Sequence, residues 1–339
     1  MWMRPGRTGV AAVALASAVA TVGASAALAA DGPNGHYVPS EAVPTGTHPG
    51  PPTSGYAGNR VMAPTIASQS RTFGQVAARS GIGLRTYRYS GLYENASTLD
   101  VYEPRAYVGK RGGRARTVVL VHGGAWQAGD RIDLEPQAVQ LAKAGFVVVS
   151  VNYRLATEAE WPAQRDDVDA AIHYVRDRAN EFNIDTGRLV ILGSSAGGQI
   201  AAAVATEGAG RKHFRGLVTL SGLLSPLLMV SQDPGYSNSV IPDMLLRCLP
   251  TECPDRYQSA TAVDSLDAKD PPSLLFHSLN EDPWDPAQAR QFAKASRALG
   301  VPSKLVVLPG YLHGIDCWHE VWPTLKAWLL ERLGQTDRT

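Results

Sequence analysis

The apolar run Leu189-Val190-Ile191-Leu192 leads directly into Gly193-Ser194-Ser195-Ala196-Gly197, and the helix-forming stretch Gln199-Ile200-Ala201-Ala202-Ala203-Val204 follows at once. A G-x-S-x-G between a strand and a helix marks a sharp turn that lifts a serine hydroxyl above the end of a sheet. Without side chains at 193 and 197 the turn can be tight and the helix can lie close to the strand. The junction predicts an α/β architecture with Ser195 as its candidate nucleophile.

The rest of the chain is consistent with that architecture. From about residue 84, strand and helix signals alternate, which predicts a mostly parallel sheet with helices on both faces. Strands are expected at 84–90, 98–103, 116–122, 145–152, 188–193, 215–221, 272–277 and 303–308, eight in all. Val168, Ala171, Ile172 and Val175 have i, i+3, i+4, i+7 spacing, as a helix with one apolar face does. A terminal helix is expected from Val321 to Leu333. Residues 224–270 interrupt the alternation and read as a small lid-like insertion or an ordinary crossover.

A serine is a weak nucleophile at neutral pH and needs a base within reach, itself held by an acid. In elbow architectures the chain order is Ser, then Asp or Glu, then His. The strand around Ser273-Leu274-Leu275-Phe276-His277 ends in Asn280-Glu281-Asp282-Pro283-Trp284-Asp285-Pro286, and the next strand ends in Pro309-Gly310-Tyr311-Leu312-His313-Gly314. Functional groups in parallel sheets gather beyond the carboxyl ends of the strands, which places Ser195, the acidic loop and His313 together. Thr117-Val118-Val119-Leu120-Val121 runs into His122-Gly123-Gly124-Ala125-Trp126. The backbone N–H groups of Gly124 and Ala125 would join that of Ala196 as an oxyanion hole.

These segments resemble an α/β-hydrolase of the esterase/lipase group that contains hormone-sensitive-lipase-like and feruloyl-esterase-like enzymes. The likeness rests on Leu99-Asp100-Val101-Tyr102-Glu103-Pro104, His122-Gly123-Gly124-Ala125-Trp126, Asn152-Tyr153-Arg154-Leu155-Ala156 and Gly193-Ser194-Ser195-Ala196-Gly197-Gly198, with Pro271-Pro272 and His313-Gly314, and covers about residues 84 to 333. It implies a carboxylic-ester hydrolase without a cofactor. Asp282-Pro283-Trp284-Asp285-Pro286 resembles the Asp-Pro-x-x-Pro ending of the family's acid loop, so the resemblance favours Asp282 as the acid. Ser278 replaces the family's glycine, and Glu281 and Asp285 stay open as alternatives. His122 is expected to brace the oxyanion loop, and Trp126 and Trp284 are candidate pocket walls. Asp166 and Asp167 are expected to start a helix or tether a loop.

Composition narrows the remaining possibilities. Net charge is +1 and the basic residues are scattered, so nothing favours nucleic acid or an anionic membrane. Arg4 and Arg7 precede a charge-free stretch from 8 to 30 that ends at Ala27-Leu28-Ala29. That pattern predicts a cleaved signal peptide over 1–29 and a secreted protein with no membrane attachment in the mature form. The alternative, an uncleaved anchor, fits less well with a stretch so rich in Ala, Gly, Ser and Thr. Residues 30–80 are Gly/Pro-rich and read as a flexible lead-in to a catalytic domain over 81–334. In an oxidising compartment Cys248 and Cys253 are expected to form a local disulfide, leaving Cys317 free. His313, Asp316, Cys317, His319 and Glu320 lack metal-ligand spacing, so no metal is expected. The expected chemistry is hydrolysis of small ester substrates through an acyl-enzyme. The rivals are an amidase or peptidase with the same residues and a catalytically silent binding protein of the same fold.

Overall fold

The computed structural model describes residues 74–107, 115–207, 210–232, 241–281 and 285–334. The expected signal peptide and almost all of the lead-in lie outside these residues. The strands are β1 (Gly83–Arg88), β2 (Thr98–Glu103), β3 (Ala115–Val121), β4 (Val147–Val151), β5 (Ile184–Ser194), β6 (Gly216–Leu220), β7 (Ser273–Ser278) and β8 (Ser303–Leu308). They form one eight-stranded sheet in the order β1-β2-β4-β3-β5-β6-β7-β8. β1 and β2 pair antiparallel, β2 pairs antiparallel with β4, and every later pairing is parallel. This is an α/β-hydrolase fold, and each strand lies within a few residues of its expected position.

Among the described residues the α-helices of five residues or more are α1 (Gln75–Arg79), α2 (Glu135–Lys143), α3 (Ala163–Asp177), α4 (Ala196–Thr206), α5 (Pro226–Gln232), α6 (Pro254–Ala260), α7 (Ala287–Ala298) and α8 (Trp318–Leu333). β3, β4, β6 and β7 are buried along their whole length, because helices cover both faces of a parallel sheet. That is why these strands read as unbroken apolar runs. Alternate residues divide between two cores. Val119, Val121, Ile191, Leu217 and Leu275 face α3, α4 and α7. Val118, Leu120, Val190, Leu192, Val218 and Phe276 face α2 and α8.

One boundary differs from expectation. α1 lies inside the stretch read as lead-in: Ala77 is fully buried, and the Glu135 carboxylate accepts from the N–H groups of Gly74 and Ala77 at 3.1 Å each. A carboxylate there satisfies first-turn amides that the helix itself cannot, a contact no local pattern announces. The insertion is also more than a flap. Leu224, Ile241, Leu245, Leu246 and Tyr257 belong to the first core, and Trp161 N–H donates to Leu245 O at 2.8 Å. Cys248 and Cys253 are disulfide-bonded within it. Among the described residues no helix is long and apolar enough to cross a membrane.

Candidate active site

Sheet register brings the site together. Val121 pairs with Gly193, Ser194 with Leu220, Leu220 with Phe276 and Ser278 with Leu308. β3, β5, β6, β7 and β8 therefore end at nearly one level, and their following loops converge there. Ser195 sits between β5 and α4 with φ 54° and ψ −121°. A non-glycine residue in that conformation costs about 1–3 kcal/mol and persists only where its surroundings enforce it. Here Ser195 N–H donates to Leu220 O at 2.8 Å, while Ser195 O accepts from Gly198 N–H. Close approach accounts for the flanking glycines. A Cβ at 193 would fall 2.1 Å from Gly197 O, and one at 197 would fall 2.2 Å from His122 O.

His313 follows β8, and its Nε2 lies 2.7 Å from Ser195 Oγ. Its Nδ1 hydrogen-bonds Glu281 Oε1. The other carboxylate oxygen of Glu281 accepts from Ser221 Oγ–H at 2.9 Å and from Ser278 N–H at 3.1 Å, with His277 Nε2 at 3.6 Å. Glu281 is 4% exposed, so these donors replace the water that a buried carboxylate would otherwise lack. Asp282, the residue expected in this position, lies outside the described residues, as does Trp284. Asp285 is exposed and accepts from Ala287 N–H at 2.6 Å, capping α7. The contact to His313 is made by Glu281, one of the alternatives left open by the sequence.

On the opposite side of Ser195, the loop after β3 turns through three consecutive positive φ values: Gly124 at 117°, Ala125 at 51° and Trp126 at 62°. A Cβ at 124 would lie 2.1 Å from Ala128 O, so only glycine fits. Ala196 opens α4, where a helix amide has no intrahelical acceptor. His122 is buried, and burial pushes its pKa down; the neutral ring donates from Nδ1 to Gly123 O at 2.8 Å. It stacks on Tyr153 with 4.3 Å between centroids, and Tyr153 Oη–H donates to His122 O at 2.9 Å. His122 thus braces the loop. Asp167 tethers the segment after β4, taking two hydrogen bonds from the Arg154 guanidinium at 2.7 and 2.8 Å and one from Arg154 N–H at 2.9 Å.

Trp126 is 1% exposed, and its Nε1–H donates to Gln199 Oε1 at 3.0 Å. It packs in the first core beneath the loop after β3 and does not line a pocket. Gln199 in turn donates to Ala260 O at 2.8 Å, linking the loop to the insertion. Cys317 is buried and donates to Gly314 O at 2.9 Å. Burial, and then the nearby Glu281 charge, push its thiol up to about 12, the opposite of what a nucleophilic cysteine needs. Sequence reasoning missed Ser221, Ser278, Tyr153 and Gln199. Each makes a contact distant along the chain, and Ser278 N–H also reaches Glu281, three residues on.

A family model, BD-FAE, matches residues 99–295, more than half of the chain. The chain belongs to the BD-FAE family. Among individual proteins it is similar to the Esterase LipQ of Mycobacterium tuberculosis, 28% identical over 217 residues, which is 60% of this chain and 51% of LipQ. It is also similar to Carboxylesterase NlhH of Mycobacterium tuberculosis, 43% identical over 89 residues, or 26% of this chain and 28% of NlhH. The chain thus spans about half the length of LipQ and less of NlhH. A truncated carbohydrate esterase from gut microbiota has the same fold, with a TM-score of 0.64 at 23% identity over 75% of this chain and 98% of that one.

Proposed function

We propose that this BD-FAE family member is a secreted serine hydrolase that cleaves small carboxylic esters, with Ser195 as nucleophile, His313 as base and Glu281 as the acid that holds it. The observation that carries the reading is the 2.7 Å contact between His313 Nε2 and Ser195 Oγ, with His313 Nδ1 on the buried Glu281 carboxylate. His313 Nε2 takes the hydroxyl proton as Ser195 Oγ attacks the ester carbonyl carbon, and the carbonyl electrons move onto oxygen. The N–H groups of Gly124, Ala125 and Ala196 hold that oxyanion, a contribution of about 10²–10³ in kcat per donor in comparable sites. Glu281 fixes the Nδ1–H tautomer and stabilises the imidazolium. The intermediate collapses, the C–O bond breaks, and the leaving alkoxide takes the proton from His313 Nε2. Water, deprotonated by the same nitrogen, then attacks the acyl-serine and releases the carboxylic acid.

An ester preference is supported by the names of the relatives, which are esterases and a carboxylesterase. Secretion is supported by the charge-free stretch after Arg4 and Arg7 and by the Cys248–Cys253 disulfide, a bond suited to oxidising compartments. The test is labelling with a fluorophosphonate, mapped by peptide mass spectrometry, alongside turnover of p-nitrophenyl esters and matched anilides. An adduct on Ser195, lost in His313→Ala, with esters cleaved far faster than anilides, is expected. Folded protein that takes no label and cleaves no ester would overturn the reading.

A further inference from the structure

Ser221 takes no part in the proton transfers above, yet it is central to the site. It follows β6 by one residue, is 1% exposed, and has φ 50°. A serine at that φ is strained where a glycine would not be. Its N–H donates to Phe276 O at 2.8 Å, fixing it to β7. Its hydroxyl lies 2.9 Å from Glu281 Oε2 and 2.9 Å from the N–H of Gly314, the residue after His313.

Chemistry sets the direction of both bonds. A carboxylate can only accept and an amide N–H can only donate, whereas a hydroxyl has one proton and two lone pairs. Ser221 therefore donates to the acid and accepts from the backbone of the base loop at once. Ser278 also joins the two loops, through Oγ–H to Leu312 O at 2.6 Å, but its hydroxyl is used on the loop backbone and not on the carboxylate.

We propose that Ser221 is a positioning residue for the Glu281–His313 pair. Resting on the Ser195–His313–Glu281 reading, the proposal holds that Ser221 locks the spacing of the acid and base loops, so that the carboxylate faces Nδ1 throughout the cycle. Removing the hydroxyl leaves Glu281 Oε2 with one donor fewer and leaves the Gly314 amide without its acceptor. The carboxylate keeps the Ser278 N–H but is held less firmly against the ring.

The test uses Ser221→Gly in the full chain, because glycine removes the hydroxyl and also relieves the positive φ. The melting temperature should fall by only a few degrees, because the relieved φ offsets part of the two lost hydrogen bonds. The value of kcat for a p-nitrophenyl ester should fall roughly 10- to 100-fold, as expected for losing a hydrogen bond to a charged group, with KM within about twofold. In a Glu281→Gln background the same substitution should cost less than about threefold, because Ser221 acts through Glu281. Should Ser221→Gly fold poorly, Ser221→Ala carries the same expectations for kcat, KM and coupling. Turnover within about twofold of wild type, a loss confined to KM, or an equal loss in both backgrounds overturns the proposal. If Ser195→Ala cleaves esters as well as wild type, the underlying reading fails instead. A dead Ser195→Ala with a fully active Ser221→Gly sinks the Ser221 proposal alone.

Discussion

Replacing Glu281 by Gln tests the assignment of the acid most sharply. Three donors converge on its two oxygens: His313 Nδ1–H, Ser221 Oγ–H at 2.9 Å and Ser278 N–H at 3.1 Å. Glutamine has nearly the same shape but only one accepting oxygen, and its NH₂ can only donate. If the amide oxygen faces Ser221 and Ser278, the NH₂ confronts Nδ1 and drives His313 to the tautomer with its proton on Nε2. That nitrogen then cannot accept the proton of Ser195. If the side chain flips, the tautomer survives but a buried donor faces two donors. The asparagine substitution of a triad aspartate lowers kcat about 10⁴-fold through the same tautomer error. Glu281→Gln should therefore lower kcat/KM roughly 10³- to 10⁴-fold, or about 4–5.5 kcal/mol of transition-state stabilisation. Asp282→Asn should stay within about threefold of wild type. Both are read from initial rates on a p-nitrophenyl ester, with circular dichroism to confirm folding. A Glu281→Gln enzyme retaining more than a tenth of wild-type kcat/KM, or a collapse of activity in Asp282→Asn, would refute the assignment.

Two further outcomes follow from other contacts. Gln199→Leu strips the buried Trp126 indole N–H and the Ala260 carbonyl of their partners at 3.0 and 2.8 Å; urea unfolding should show a loss of about 2–5 kcal/mol, with kcat reduced more than KM is raised. Asp270 is 2% exposed and its carboxyl is pushed up to about 7, chiefly by burial. A folded pKa above the unfolded one means that this group's stabilisation is present below about pH 4 and is lost as pH rises through about 7. The Asp270→Asn variant should therefore show a flatter stability–pH curve across that window, and parallel curves for the two proteins would contradict this.

Strand and helix positions were legible because their signals are local. β3, β6 and β7 are buried on both faces and must be apolar throughout, while the amphipathic spacing of Val168, Ala171, Ile172 and Val175 reflects the single core-facing side of α3. The start of the domain was less legible. α1 is held by Glu135, 58 residues away from Ala77, a contact that its five residues do not announce.

The site divides along the same line. Gly193 and Gly197 around Ser195, the His122-Gly123-Gly124 turn after β3 and His313 after β8 are motifs tied to strand ends, so their chain order in a parallel sheet already implies that they meet. The acid differs because three carboxylates lie within five residues, and motif similarity pointed to Asp282. Contact with His313 depends on side-chain reach. Glu281 sits three residues beyond the end of β7, and its longer side chain folds back so that one oxygen takes Ser278 N–H while the other meets His313. The roles of Ser221, Gln199 and Trp126 likewise came only from packing. A strand or turn is encoded by neighbours along the chain, but a hydrogen bond between loops depends on where the sheet register sets them down.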